Sequence, residues 1–254
     1  MLLLGLFAAP QAHAQVDDYY DREAPSPEIT PAPRAPTPLP FSPFFGVRGG
    51  VTVTTLVDPN EGTLSVPLTY LTRTGGTASL VVGAALKSGL RVQIEPGLTN
   101  KRSGLEFESP SSSDTIYELV YDLEYFSLPI LVSFPLALTS RPNAPAFLLG
   151  AGLHVGVLLS GRERVRVLSD PDLTYVSAAT EDFLPVELGV MGNFGLMIPR
   201  PGRRADVLIA YRLHQGLSNV NGGVFVVSGP NGPVDYELFQ FTQSITAGVV
   251  FNLR

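Results

Sequence analysis

The last segment of the chain alternates in hydrophobicity with a period of two. Its odd positions, from Phe239 to Leu253, are mostly apolar, whereas its even positions, from Gln240 to Asn252, are mostly polar or small. An α-helix repeats every 3.6 residues or so and does not produce such alternation. The segment is therefore predicted to be a single β-strand with one apolar face.

The same alternation recurs from Phe44 onward and predicts eight strands. They lie near residues 44–56, 77–87, 89–100, 116–137, 145–160, 184–199, 204–217 and 238–253. The connections after the second, fourth and sixth strands are short, and the other connections are long. This pattern is typical of a transmembrane barrel with short periplasmic turns and long extracellular loops. We predict an all-β fold, namely an eight-stranded antiparallel up-and-down transmembrane β-barrel over residues 44–254.

One predicted strand changes phase along its length. Apolar residues occupy odd positions from Tyr117 to Leu123 and then even positions from Phe126 to Phe134. Either a β-bulge near Glu124 and Tyr125, or a strand that continues beyond the buried zone, would produce this change.

Two further segments precede the predicted barrel. Residues 1–14 form a short apolar stretch that ends in Ala12-His13-Ala14, the pattern of a cleaved signal peptide. Residues 15–43 are rich in proline, which fixes φ and removes backbone N–H groups, so they are predicted to be an extended periplasmic linker.

The low content of charged residues distinguishes a membrane barrel from a soluble one. Only 16% of the residues are charged, against about 25% in ordinary soluble domains. Lys87 and Lys101 are the only lysines, whereas a water-facing sheet carries many. We therefore favour a membrane barrel over a soluble lipocalin-like, lipid-binding barrel or a β-sandwich. The formal net charge of −6 excludes a basic nucleic-acid surface, so no nucleic-acid partner is predicted.

Charged and histidine side chains share the non-apolar face of the predicted strands, which would point into the lumen. These residues are Arg48, Arg91, Glu95, His154, Glu187, Asp206, Arg212 and His214. Because buried polar groups must be paired, we interpret the set as a structural network. The alternative is an enzyme at the barrel rim, a lipase, acyltransferase or protease, in which the histidines approach Asp206 or Glu187. The chain has no cysteine and no recognised catalytic, cofactor or metal motif, so we predict no enzymatic activity, no cofactor and no metal.

Four segments resemble strands of the PorT-like outer-membrane β-barrel proteins of Bacteroidota and their relatives. Glu124–Val132 is similar to the family's "YLEIPLLL" strand, and Leu149–Gly156 is similar to the Gly-rich strand that follows it. Leu208–Asn219 resembles the "YRYSLGLTNI" strand, and Ile245–Phe251 resembles the closing strand. The resemblance implies an eight-stranded barrel in the outer membrane and does not imply one activity.

Together these observations predict an integral outer-membrane barrel whose lumen is filled by side chains, as expected for eight strands. Its loops would bind a ligand or support the envelope. Outer-membrane lipid is the predicted partner, and the extracellular loops and the Pro-rich arm are the candidate surfaces for a protein partner.

Overall fold

The computed structural model describes the chain from Phe41 to Leu253, except for residues 58–67, 110–111, 142–143, 179, 181–182, 201–203, 220–225, 230–231 and 236. The described residues belong to one unit, Leu39–Arg254. The predicted signal peptide and residues 15–40 of the predicted linker lie outside the described residues. Within the described ranges, no helix is long and apolar enough to cross a bilayer.

Long β-strands dominate the described part of the chain. They are β1 (Phe41–Val57), β2 (Leu68–Leu86), β3 (Arg91–Ile94), β4 (Gly97–Ser109), β5 (Ser112–Ala137), β6 (Ala146–Val167), β7 (Asp170–Ala178), β8 (Val186–Pro199), β9 (Ala205–Gly216), β10 (Val226–Gly229), β11 (Gly232–Asp235) and β12 (Phe239–Asn252).

The strands close into an antiparallel ring. β1 pairs with β2 on one side and with β12 on the other, and the ring continues from β12 through β9, β8 and β6 to β5. β3 and β4 follow one another between β2 and β5 and occupy one position of the ring. They are separated at Glu95 and Pro96, because proline has no N–H for the ladder. The ring therefore has eight positions, which confirms the predicted fold.

Several strands extend beyond their predicted bounds at the end of the barrel that carries the long connections. β2 begins at Leu68 instead of residue 77, β4 ends at Ser109 instead of residue 100, and β6 ends at Val167 instead of residue 160. At the other end of the barrel, β1 begins at Phe41, three residues before the predicted start. The short hairpin strands β7, β10 and β11 also lie within connections that were predicted without strands.

The longer strands extend the barrel beyond its exposed apolar belt, and we call this outer part of the barrel the second storey. In it, the apolar side chains face inward and the polar side chains face outward. On β5, the exposed side chains from Phe126 to Leu136 are apolar, whereas from Leu119 to Leu123 it is the buried side chains that are apolar. The odd positions of β5 point inward through both stretches. The phase change in the sequence therefore arises because the strand continues beyond the lipid, where water contacts the outer wall.

The extra residue that accompanies this change lies in the neighbouring strand. Tyr125 of β5 is paired with Leu158, but Glu124 is paired with Ser160, so Leu159 of β6 is a bulge. Leu158 and Gly161 are both buried, which shows that β6 exchanges its inward positions at this bulge.

The exposed apolar belt has the height of a bilayer. On β5 it extends from Phe126 to Leu136. Ten steps of about 3.3 Å, tilted by about 40°, span about 25 Å, the height of the apolar band of outer-membrane barrels.

Two apolar clusters fill the interior at the two ends of the barrel. The outer cluster, at the end of the long connections, contains Leu56, Leu105, Leu119, Tyr121, Leu123, Tyr125, Leu158, Phe183 and Leu238. The inner cluster, at the end of the short turns, contains Phe44, Val81, Leu148, Leu208 and Val250. Polar and charged side chains occupy the lumen between them.

Candidate functional site

The candidate site is the polar lumen between the two apolar clusters. All eight residues singled out in the sequence are buried there, each with at most 8% of its surface exposed. They do not form one network. They divide into a cluster around Glu95, a cluster around Glu187, and two residues near the inner end.

Glu95 is the acceptor at the centre of the first cluster. Arg48 donates to its Oε1 at 2.8 Å, and Arg212 donates to Oε2 and Oε1 at 2.7 and 2.6 Å. Gln93 also donates to Oε1. Arg212 Nε donates to Asn193 at 3.0 Å. The carboxylate of Glu95 thus bridges two guanidinium groups from β1 and β9, and the bidentate contact is the strong geometry for such a pair.

Arg91 and Asp206 lie nearer to the inner cluster. The guanidinium carbon of Arg91 is 4.1 Å from the ring centre of Phe44, and its NH1 is 3.1 Å from the sulfur of Met197. Asp206 accepts a hydrogen bond from Asn252 at 3.0 Å. Asp206 is therefore engaged at the strand ends and is not the carboxylate that approaches the histidines.

Glu187 is the centre of the second cluster, and its main partner is Lys101. The ammonium group of Lys101 donates to both carboxylate oxygens, at 2.7 and 2.5 Å. His154 Nδ1 and His214 Nδ1 each lie 4.0 Å from the same carboxylate. The two imidazole rings are 4.3 Å apart in an edge-to-face arrangement.

The predicted strand end at residue 100 would place Lys101 in an extracellular loop, and this prediction is wrong. Lys101 lies in β4 and is 2% exposed. The signal that could have found it is the inward phase of the predicted strand 89–100, which runs through Arg91, Gln93 and Glu95 and continues through Thr99 to Lys101. The predicted end at residue 100 lies one residue before Lys101, whereas β4 continues to Ser109.

Two glycines make room for the second cluster. A Cβ atom on Gly189 would lie 2.3 Å from Nε2 of His214 and 2.6 Å from the carbonyl oxygen of Gln215. A Cβ atom on Gly216 would lie 3.2 Å from Oε1 of Glu187. These strand glycines therefore permit bulky polar side chains to pack inside a narrow barrel.

The second cluster has the donor set of a metal site but already contains a cation. One ligand atom each from His154, Glu187 and His214 lies within 4.8 Å of the others. Two imidazoles and a carboxylate are ligands that suit zinc. The ammonium group of Lys101 occupies the coordinating side of Glu187, however, and a metal ion would have to displace it.

The cavity bordered by the described lumen residues is smaller than an ordinary ligand site. A cavity of about 40 Å³ is bordered by both clusters, through Glu95, Arg212, Lys101 and His154. Ligand sites usually measure about 300–1,000 Å³. The histidines lie inside the lumen, below the outer cluster, and not at the rim where the enzyme interpretation requires them.

A closed antiparallel barrel with an apolar belt outside and charges inside is the architecture of an outer-membrane protein. The family model described as the outer membrane protein beta-barrel domain matches residues 39–222. The chain belongs to this family and is a protein of the bacterial outer membrane.

Several solved structures are similar to this chain at low sequence identity. Neisserial surface protein A has 14% identity, 82% coverage of this chain, 96% coverage of its own chain and a TM-score of 0.39. OprG of Pseudomonas aeruginosa has 9% identity, coverages of 84% and 96%, and a TM-score of 0.37. Ail of Yersinia pestis has 9% identity, coverages of 82% and 98%, and a TM-score of 0.36. Comparison with curated protein sequences gives no match.

Proposed function

We propose that this protein is a non-enzymatic, non-conducting barrel that anchors an extracellular storey of β-structure in the outer membrane. The observation that carries the proposal is the filling of the lumen, with apolar clusters at both ends and paired charges between them. Activity would then reside on the outer and extracellular surfaces.

In this proposal the buried charges serve stability and not catalysis. We propose that these side chains have structural roles in separate clusters: Arg48, Arg91, Glu95, His154, Glu187, Asp206, Arg212 and His214, together with Lys101. Support comes from the direct pairing of Glu95 with two arginines and of Glu187 with Lys101. An eight-stranded barrel has an interior just wide enough for side chains to fill.

Within the outer-membrane barrel family, we propose that the chain is of the PorT-like type. The four segments that resemble this type fall on the ring strands β5, β6, β9 and β12. Residues 1–14 are proposed to be a signal peptide, and the Pro-rich segment after it is proposed to be a periplasmic arm that could hold a protein partner.

Ion conductance across a planar bilayer tests the proposal. The refolded protein is expected to give no stepwise conductance above the lipid baseline, because the filled lumen offers no continuous aqueous path. A general porin, inserted under the same conditions, is the positive control.

Insertion of the protein is verified by a gel shift between unboiled and boiled samples of the recovered membranes. Stable conductance steps from inserted protein, of the size that the porin gives, would contradict the proposal.

A further inference from the structure

The outer wall of the barrel becomes strongly basic directly above the apolar belt. On this side, β2 contributes Arg73, β4 contributes Arg102, and β6 contributes Arg162, Arg164 and Arg166. These five residues border a groove of about 760 Å³, which we name the arginine groove. Its volume is in the range of ligand sites.

Carboxylates compensate only part of this positive charge. Glu106, Glu118 and Asp122 are the acidic residues that line the groove, against five arginines. Arg102 donates through Nε and NH2 to Asp122 at 3.0 and 2.8 Å. Arg73 donates to Glu118. The groove therefore keeps an excess of positive charge.

Asp122 stays ionised and keeps Arg102 engaged. Partial burial acts to raise the pKa of Asp122, but the hydrogen bonds from Asn100 and Arg102 lower it. The positive charge of Arg162 lowers it further. The net result is a pKa below the ordinary value, so Asp122 is an anion at neutral pH.

Arg162 and Arg164 are the arginines that remain most open to a ligand. Both are exposed, and their side chains leave β6 on the same face, two residues apart. Arg164 is opposite Val120 on one side and Val176 of β7 on the other. Among the described residues, Arg164 makes no ion pair within 4.0 Å.

The groove lies just above the height of lipid headgroups. Phe126, which ends the apolar belt on β5, is paired with Val157, and Asp122 is paired with Arg162. Four tilted strand residues correspond to a rise of about 10 Å. The headgroup layer begins at the edge of the hydrocarbon and extends about 5–8 Å. Arg162 thus lies about 10 Å above the edge of the belt, just beyond this layer, and Arg164, which is paired with Val120, lies about 15 Å above it. Their long side chains can extend down toward the headgroup charges.

We propose that the arginine groove binds phosphate groups in the headgroup of an outer-leaflet lipid. The guanidinium group forms paired hydrogen bonds with phosphate and is always charged. Neighbouring basic residues near a membrane surface attract anionic lipid. Arg162 and Arg164 make the contact, while the apolar belt below receives the apolar part of the lipid. This site is on the outer wall, and it does not depend on a filled lumen.

Native mass spectrometry of the refolded full chain in detergent tests the site. The probe is a diphosphorylated lipid A, and the comparison probe is the same lipid after enzymatic removal of its phosphates. Divalent cations are removed with a chelator, so that only direct contacts are measured. The wild-type protein is expected to retain the phosphorylated lipid and not the dephosphorylated one.

The informative variant is R162Q/R164Q, which is expected to weaken retention of the phosphorylated lipid by about tenfold or more. R164Q alone should give an intermediate loss. The matched control is R141Q/R200Q, because Arg141 and Arg200 are exposed at the short-turn end, and this variant should bind as the wild type does. A gel shift between unboiled and boiled samples verifies that each variant is folded.

Three results would overturn the proposal. One is equal retention by R162Q/R164Q and the wild type, and another is equal retention of both lipids by the wild type. The third is displacement of the lipid by inorganic phosphate at an equal concentration, which would assign the groove to a free anion.

Discussion

Replacing Glu95 with glutamine is expected to lower the free energy of unfolding by about 3–5 kcal/mol or more, the cost of breaking a buried ion pair from one side. Glutamine has nearly the shape of glutamate, so packing is preserved while the charge is lost. The variant leaves the guanidinium groups of Arg48 and Arg212, both 5% exposed, without the carboxylate that joins them. Two like charges then remain buried close together.

The measurement is denaturant unfolding of the barrel refolded into vesicles, followed by circular dichroism and by the gel shift between unboiled and boiled samples. Glu124→Gln is the control, because Glu124 also lies on a ring strand but points outward, with a 3.4 Å contact to Ser160. Adding Arg48→Met to Glu95→Gln should recover part of the loss, since it removes one of the two uncompensated cations. Equal unfolding midpoints for Glu95→Gln and Glu124→Gln would show that the Glu95 cluster does not stabilise the barrel.

Replacing Lys101 with methionine is expected to destabilise the barrel by about 3–5 kcal/mol as well. Methionine fills much of the volume of lysine but supplies no charge, so the 1% exposed side chain of Glu187 is left without its cation. The double variant K101M/E187Q removes both charges. It should therefore be clearly more stable than K101M alone, because it leaves no unpaired buried charge. The single variant K101M loses the ion pair while its packing is largely kept.

A double-mutant cycle measures this coupling directly. Unfolding of the wild type, K101M, E187Q and K101M/E187Q is followed under the same conditions as for Glu95. Additive effects of the two single substitutions would contradict the assignment of Lys101 as the partner of Glu187.

The fold could be predicted because alternation with a period of two is a local property of each strand. The register then follows from antiparallel neighbours, and β12 returns to β1 as an eight-stranded ring requires. The inward phase also distinguishes the charged lumen residues from the lipid-facing ones. Arg48, for example, is buried directly after the exposed Val47.

The second storey could not be predicted by the same rule. Outside the lipid, the polar face turns outward and the apolar face inward, so a strand such as β5 continues while its pattern inverts. The end of the alternation predicts a strand end before Lys101, whereas β4 contains Lys101 and continues to Ser109.

The pairing of the charges also required the three-dimensional structure. Glu95 and Arg212 are separated by 117 residues, and the contact depends on how β3 and β9 are staggered around the ring. Asp206 and Glu187 both share the inward phase with the histidines, but only Glu187 lies at their height.

Closure of the ring is the central claim, and a disulfide between β1 and β12 tests it most directly. Val51 and Ile245 are direct partners and both face outward. Direct partners in antiparallel strands have Cα atoms about 4.5–5.5 Å apart, within the range of a disulfide. The chain has no native cysteine to compete. V51C/I245C, refolded under oxidising conditions, is expected to form an intramolecular disulfide that reducing agent reverses. V51C/V249C, whose residues are four positions out of register, should not. Failure of V51C/I245C to cross-link in folded protein, or equal cross-linking of both variants, would contradict the closed barrel.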